Sequence, residues 1–321
     1  MDPLNTNRCL CGLDEAGLGP ILGPLVVAGV ALDGQSGVDP WDALGGVVAR
    51  QRPSGRQIQV ADSKKVHQGP HALARLERTV LTFWGAWRGR LPDSLEDLLV
   101  DGGTDVAALR RCPWYEGLAM PLPIVDDRAD LELRAHLLTR ALADSRIAVR
   151  QIAIAPVDVE EFNASIAATD NKSDTHFLAY ARVLAALLGT APDGAHVVAD
   201  RCGGRMHYAQ KLRETFPDAR VRQLRETAEV SAYRIERAAL AVRVTFASGG
   251  EERAFPTALA SCFAKYVREA MLTVLNSWFV ERVPGLRPTA GYYVDGLRFL
   301  DDVESLLASE HLPRALLVRS R

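Results

Sequence analysis

The chain has 321 residues, 48% of them hydrophobic, 24% charged and 7% aromatic, with a formal net charge of −2. That balance excludes a disordered or collagen-like chain and suits a folded α/β protein, expected here as one elaborated domain over 1–321. No apolar run approaches the roughly eighteen residues of a membrane span, and MDPLNTNRCL lacks the order of a secretory leader. A cytoplasmic protein is therefore expected, with no membrane partner and no obligate protein partner. A slightly acidic total also means that any nucleic-acid site must be a local basic patch.

In chain order, Arg8 to Asp33 reads as a strand, a loop of sequence AGLGPILGP and a second, β-branched strand LVVAGVAL. ADSKKV precedes a helix-period run, ALARLERTVLTFWGAWRG, in which Leu73, Leu76, Val80 and Leu81 trace an apolar stripe. The segment 91–123, with Gly102-Gly103 and several prolines, reads as a helical insertion. From Asp130, LELRAHLLTRALAD gives a helix and IAVRQIAIAPV a strand, and VDVEEFNASI begins as a capped helix. DTHFLAYARVLAALLG is a further helix, leading to a strand, AHVVAD, that ends at Asp200. GRMHYAQKLRETFP reads as helical, two or three polar-alternating strands follow between Val221 and Ser248, and TALASCFAKYVREAMLTVLNSWFVE is a long helix. A C-terminal helical extension over about 283–321 completes the chain. This order predicts an α/β fold with a mixed sheet covered by helices on both faces.

Five cysteines stand at Cys9, Cys11, Cys112, Cys202 and Cys262, without paired C-x-x-C knuckles, and read as reduced thiols. Cys9 and Cys11 alternate along a strand and should face the same side. The chemistry concentrates where Asp14 and Glu15 close an apolar strand just before Ala16-Gly17-Leu18-Gly19-Pro20. Adjacent carboxylates repel one another unless a cation is present, and glycines let backbone amides approach a sugar or phosphate that a side chain would block. The same residues are also compatible with a tight turn flanked by surface acids. Asp200, closing the apolar run HVVA, points to the C-terminal edge of a sheet, where α/β proteins place their sites. The histidines are dispersed, and His176 and His207 read as packing or surface residues. Lys64, Lys65, Arg201, Arg205, Arg253, Lys265 and Arg268 lie near these segments in sequence and could form the local basic patch.

CGLDEAGLGPILGPLVVAGVAL resembles the opening signature of the type 2 ribonucleases H, the HII and HIII enzymes, and further segments match in the family's order. ADSKKV is similar to the family's D-S-K segment, HVVAD to its central strand, FPTALASCFAKYVRE to its alanine- and serine-rich helix and GYYVDGLRFLDDV to its C-terminal G-Y segment. The resemblance is scattered over nearly the whole chain except 91–123 and much of 225–243. It implies a ribonuclease H-like fold and hydrolysis of the RNA strand of RNA/DNA hybrids. Two Mg²⁺ or Mn²⁺ ions would be held by Asp14, Glu15, Asp200 and a fourth carboxylate. Counting back from Ser261 by the family's spacing puts that carboxylate at Glu251, as in HIII, with Glu252 as the alternative. By the same resemblance Lys64 lies near substrate phosphate, Gly17, Leu18 and Gly19 sense the 2′-hydroxyl, and Tyr292 stacks on a deoxyribose, with Tyr293 its neighbour. The products would carry 5′-phosphate and 3′-hydroxyl ends.

Two departures stand out. Leu18 occupies the place where HII enzymes carry an arginine, and only thirteen residues precede Asp14, so the N-terminal domain of HIII enzymes is not expected. A catalytically inactive hybrid-binding protein, or another nuclease of the wider ribonuclease H-like superfamily, are the competing readings.

Overall fold

The computed structural model describes residues 7–320. Its first two strands, β1 (Asn7–Ala16) and β2 (Leu25–Gln35), pair antiparallel with Asn7 opposite Gln35 and Ala16 opposite Val26. Leu25 to Leu32 is an unbroken buried run, the pattern of a strand covered on both faces. A short excursion follows: α1 (Pro40–Ala43), a two-stranded parallel pair of β3 (Val48–Ala49) and β4 (Ile58–Gln59), and α2 (Ser63–Val66). Then come α3 (Ala72–Arg88), α4 (Leu95–Asp101), α5 (Val106–Leu109), a 3₁₀ turn (Pro113–Ala119) and α6 (Arg128–Asp144).

The strand β5 (Ala148–Val157) pairs with the outer side of β2, after which α7 (Val159–Thr169) and α8 (Lys172–Thr190) lead to β6 (His196–Asp200). Beyond α9 (Ala209–Thr215), three strands meander: β7 (Arg220–Glu226), β8 (Val230–Arg237) and β9 (Leu240–Ala247). The chain ends with α10 (Gly250–Arg253), the long α11 (Phe255–Val280), α12 (Tyr293–Ser309) and a 3₁₀ turn at Arg314–Leu316. Residues 283–292 of the C-terminal extension form the loop before α12.

The main sheet has seven strands in the order β5-β2-β1-β6-β9-β8-β7, with β1, β6 and β9 mutually parallel and the rest antiparallel. Helices cover both faces, as the sequence predicts. Parallel neighbours need crossovers, and α7 with α8 supply the one that delivers β6 beside β1. On one face Cys9, Cys11, Leu13, Val27 and Val197 pack with Phe177, Tyr180 and Leu184 of α8. On the other, Val26, Ala28 and Val30 pack with α3, α11 and the insertion, whose Trp114 lies 5.7 Å from Phe279, ring to ring. The helix α11 lies directly on β1 because residue 12 is glycine: a Cβ there would fall 2.0 Å from the Thr257 amide.

All five cysteines are free and buried, and Cys9 and Cys11 share a face with their sulfurs 3.7 Å apart. One expected helix is shorter than read. In GRMHYAQKLRETFP only Ala209–Thr215 is helical. The preceding residues are tied elsewhere: the Ser231 hydroxyl donates to the Met206 carbonyl at 2.5 Å and the Tyr208 amide to the Tyr233 hydroxyl at 2.9 Å, so tertiary bonds to β8 replace the first helical turn. Among the described residues, no helix is long and apolar enough to cross a membrane.

Candidate active site

Parallel pairing of β1 with β6 sets Leu13 opposite Ala199, so the next residue of each strand, Asp14 and Asp200, emerges side by side at the same sheet edge. Asp14 is 7% exposed. Ligand oxygens of Asp14, Glu15 and Asp200 all lie within 4.8 Å of one another. The turn from β9 into α10 meets them: the Gly250 amide donates to the Asp200 carboxylate at 3.1 Å, and a Cβ on Gly250 would come 3.1 Å from the Asp200 amide.

Glu251, outside that group of three, is near enough for its charge to act on Asp14, and its Oε2 is buried without a hydrogen-bond partner. Glu252 faces away, pairing with Lys65 at 2.6 Å on the surface.

Charge is in excess here. Burial, then repulsion from Glu15, Asp200 and Glu251, pushes the Asp14 carboxyl well above the ordinary carboxylate range. Asp200 and Glu251 are raised too, first by burial, with the Gly250 amide partly offsetting the effect on Asp200. Glu15 behaves oppositely. Burial would raise it, yet His176, Tyr180 and Lys64 hold it below its usual value. The Tyr180 hydroxyl donates to Glu15 Oε2, and His176 Nε2 stands 3.4 Å from the same oxygen, within ion-pair range but outside hydrogen-bond geometry. His176 and Tyr180 occupy the same face of α8, one turn apart, with their rings edge to face at 4.9 Å.

His176 is thus not a plain packing residue. It is 1% exposed and directed at a carboxylate. A polar pair at i, i+4 within an otherwise apolar buried stripe was the available signal.

The glycine loop leaves β1 with Gly17 in the left-handed region, where a Cβ would collide at 2.6 Å with Arg268 Nε and the Pro24 carbonyl. At Gly19 a Cβ would meet nothing within 4 Å, so that position is open to the outside. Leu18 leans on the core of the α8 face. The loop is pinned from below by Arg319, 4% exposed, whose guanidinium donates to the carbonyls of Gly17, Pro20 and Gly23. From the side, the Gly291 carbonyl accepts the Ile21 amide at 2.8 Å, which sets exposed Tyr292 beside the loop, with Arg268 5.9 Å from its ring. Nothing in the sequence near Arg319 signals this role.

Lys64 stands in α2, which is fastened to α11 by the Ser63 amide donating to Ser261 Oγ at 3.0 Å. Partial burial would lower the Lys64 ammonium, but Asp62, Asp14, Glu251 and Asp200 keep it above its ordinary value. Most of the other basic residues singled out in the sequence are neutralised. Lys65 pairs with Glu252, Arg205 with Asp174, and Lys265 and Arg268 with Glu269. The donors are four carboxylates, all oxygen and mutually repelling, a set that suits a hard divalent cation.

No family model and no curated protein matches the chain. Among solved structures it is similar to the ribonuclease HII of Archaeoglobus fulgidus in its complex with PCNA, 16% identical, with 97% of this chain and 94% of that one covered and a TM-score of 0.41. Bst-RNase HIII in complex with Mn²⁺ is 15% identical over 97% of this chain and 66% of that one, TM-score 0.41. The ribonuclease H2 of Pyrococcus horikoshii OT3 is 12% identical over 97% and 92%, TM-score 0.41. At these values the chemistry has to come from the carboxylates themselves.

Proposed function

We propose that this chain is a divalent-metal-dependent endonuclease that hydrolyses the RNA strand of RNA/DNA hybrids, working as one catalytic unit with the insertion 91–123 as a buttress. The observation that carries the reading is the convergence of Asp14, Glu15 and Asp200 within 4.8 Å at a strand edge, beside a glycine loop open to the outside. Such a cluster is destabilising without a counterion, and the unpartnered buried oxygen of Glu251 marks a coordination position that no protein donor fills.

Asp14, Glu15, Asp200 and Glu251 would hold one or two Mg²⁺ or Mn²⁺ ions, whose chemistry at such a site is to acidify a water and neutralise the departing oxygen at phosphorus. Asp14, on which the charges of the other three all act, would be the shared ligand. Glu15 is oriented through one oxygen by Tyr180, which leaves its other oxygen for the metal. Lys64 supplies the fixed positive charge for a phosphate beside the cluster. The amides of Gly17 to Gly19 would meet the 2′-hydroxyl that separates RNA from DNA, and Tyr292 would offer a face to the neighbouring sugar.

A panel of end-labelled RNA/DNA, DNA/DNA and RNA/RNA duplexes incubated with Mg²⁺ or Mn²⁺ tests the reading. Cuts confined to the RNA strand of the hybrid, giving 5′-phosphate and 3′-hydroxyl ends, are expected. Cutting of DNA/DNA with an intact hybrid would instead make it another nuclease.

A further inference from the structure

The strands β7, β8 and β9 carry an arrangement that the sequence does not display. In their registers Arg222 lies directly opposite Arg234, Arg234 opposite Arg243, and Arg243 opposite His196 of β6. Directly opposed residues share a face, so three arginines and a histidine form one row across four strands. At about 4.8 Å per strand the arginines span roughly 10 Å. Arg222, Arg234 and Arg243 are exposed, whereas the alternate residues Val221, Tyr233, Ile235, Val242 and Val244 fill the core of the other face.

Like charges set opposite one another destabilise a sheet. Some exposed arginines are relieved by carboxylates, such as Arg110 by Glu96, Arg128 by Asp93 and Arg150 by Asp33, while others, such as Arg213 and Arg220, form no ion pair among the described residues but face no arginine across a register. In this row only Arg234 has such relief, from Glu236 at 2.8 Å. Among the described residues, Arg222 and Arg243 form no ion pair. The positive field is felt locally: burial, then Arg243 and Arg8, drives His196 down to about 4. Charges on an edge strand commonly guard against strand addition, but that accounts for Arg222 on β7 and not for Arg234 and Arg243 on interior strands.

His196 and Asp200 are four residues apart on β6 and so share a face, which places the row about 13 Å along the strand from the carboxylates. The first turn of α11, with Thr257 donating to the Val198 carbonyl, sits between the two. We propose that the ladder Arg222–Arg234–Arg243 is a docking surface for the phosphate backbone of a nucleic-acid duplex, gripping it away from the site of cleavage. The proposal rests on the nuclease reading for the identity of its polyanion. A duplex presents one charge per roughly 3.4 Å on each strand, so a row of this length meets about three phosphates of a duplex reaching past the cluster. It supplies the local basic patch that a chain of net charge −2 needs.

Fluorescence anisotropy with a labelled hybrid, in metal-free buffer between about 50 and 200 mM salt, compares the full chain with its double variant Arg222→Gln/Arg243→Gln. The variant is expected to bind at least about tenfold more weakly at the low-salt end, with the slope of log affinity against log salt shallower by about two units. Because the substitution removes repulsion, its melting temperature should be unchanged or higher, which excludes misfolding as the cause. Superimposable salt curves for two folded proteins would overturn the proposal, as would a ladder-dependent affinity for polyglutamate with none for the duplex, which would point to an acidic protein partner. Cleavage measured in parallel keeps the readings apart. Ladder-dependent binding without cleavage supports the ladder and removes the nuclease, whereas cleavage with identical salt curves removes only the ladder.

Discussion

Glu15 is the carboxylate of the cluster that its own neighbours keep charged against burial, His176 first and then the Tyr180 hydroxyl that donates to its Oε2. Partners that orient a metal ligand typically contribute 10- to 100-fold in metal affinity. Tyr180→Phe should therefore weaken Mn²⁺ binding by roughly tenfold in calorimetry while the fold survives, because the ring and its packing remain. Unchanged affinity would show that Glu15 needs no orientation. The two glutamates of α10 give a second expectation. Glu251 acts on Asp14 and Asp200 while Glu252 is spent on Lys65, so Glu251→Gln should cost hybrid cleavage more than about tenfold and Glu252→Gln almost nothing. The opposite order of rates would assign the fourth ligand to Glu252. Asp14, Glu15 and Asp200 were legible in the sequence because each ends an apolar strand run. His176 and Tyr180 showed only as a polar pair at i, i+4, and their role stayed hidden because a helical period cannot distinguish a side chain that packs from one that packs and also donates.

The C-terminal segment reaches across the molecule to serve the glycine loop. Val318 bridges to Leu22, the Asn163 side chain holds the Val318 carbonyl at 2.8 Å, and Arg319 gathers three carbonyls of the loop. Burial, then Arg268, lowers the Arg319 guanidinium to about 9, which is still above neutral pH, so the side chain stays charged against those carbonyls. Replacing it by Met would strand the carbonyls, at a cost of about 3 kcal/mol in unfolding free energy. Substrate binding should suffer as well: Arg319→Met is expected to raise KM several-fold and leave Mn²⁺ affinity within twofold of the wild type. A loss of metal binding equal to the loss of substrate binding would mean that Arg319 holds the whole site rather than the loop. No periodicity links residue 319 to residue 17, and such long-range clamps are invisible until the chain is folded. The helix expected over 204–208 failed for a related reason, because its backbone groups found side-chain partners on β8.

For the whole molecule, the mixed sheet and its two helical layers followed from strands of β-branched residues separated by helix-period runs, and that much the sequence contained. The cross-strand ladder did not, because Arg222, Arg234 and Arg243 become neighbours only once three registers are set. Burial of His196, reinforced by the same positive face, gives a pH dependence to stability. His196 is held near 4 in the fold against 6.5 in the open chain, so its contribution to stability is complete above pH 6.5 and is lost as pH falls toward 4. The loss is at most about 3 kcal/mol before solvent screening reduces it. The difference in urea unfolding free energy between the wild type and His196→Gln should shrink by this amount from pH 7 to 4, because the raised carboxyls of Asp14, Asp200 and Glu251, which act in the opposite direction, are common to both.

The proposed function makes one physical claim, that the carboxylates at the β1–β6 edge are over-acidic alone and become catalytic with a divalent cation. Hybrid cleavage by Asp14→Asn beside the wild-type chain, each with saturating Mg²⁺ or Mn²⁺ and each shown folded by circular dichroism, tests it most directly. The variant should cut the RNA strand more than about 100-fold more slowly while melting no lower than the metal-free wild type. Near wild-type cleavage by Asp14→Asn would contradict the claim.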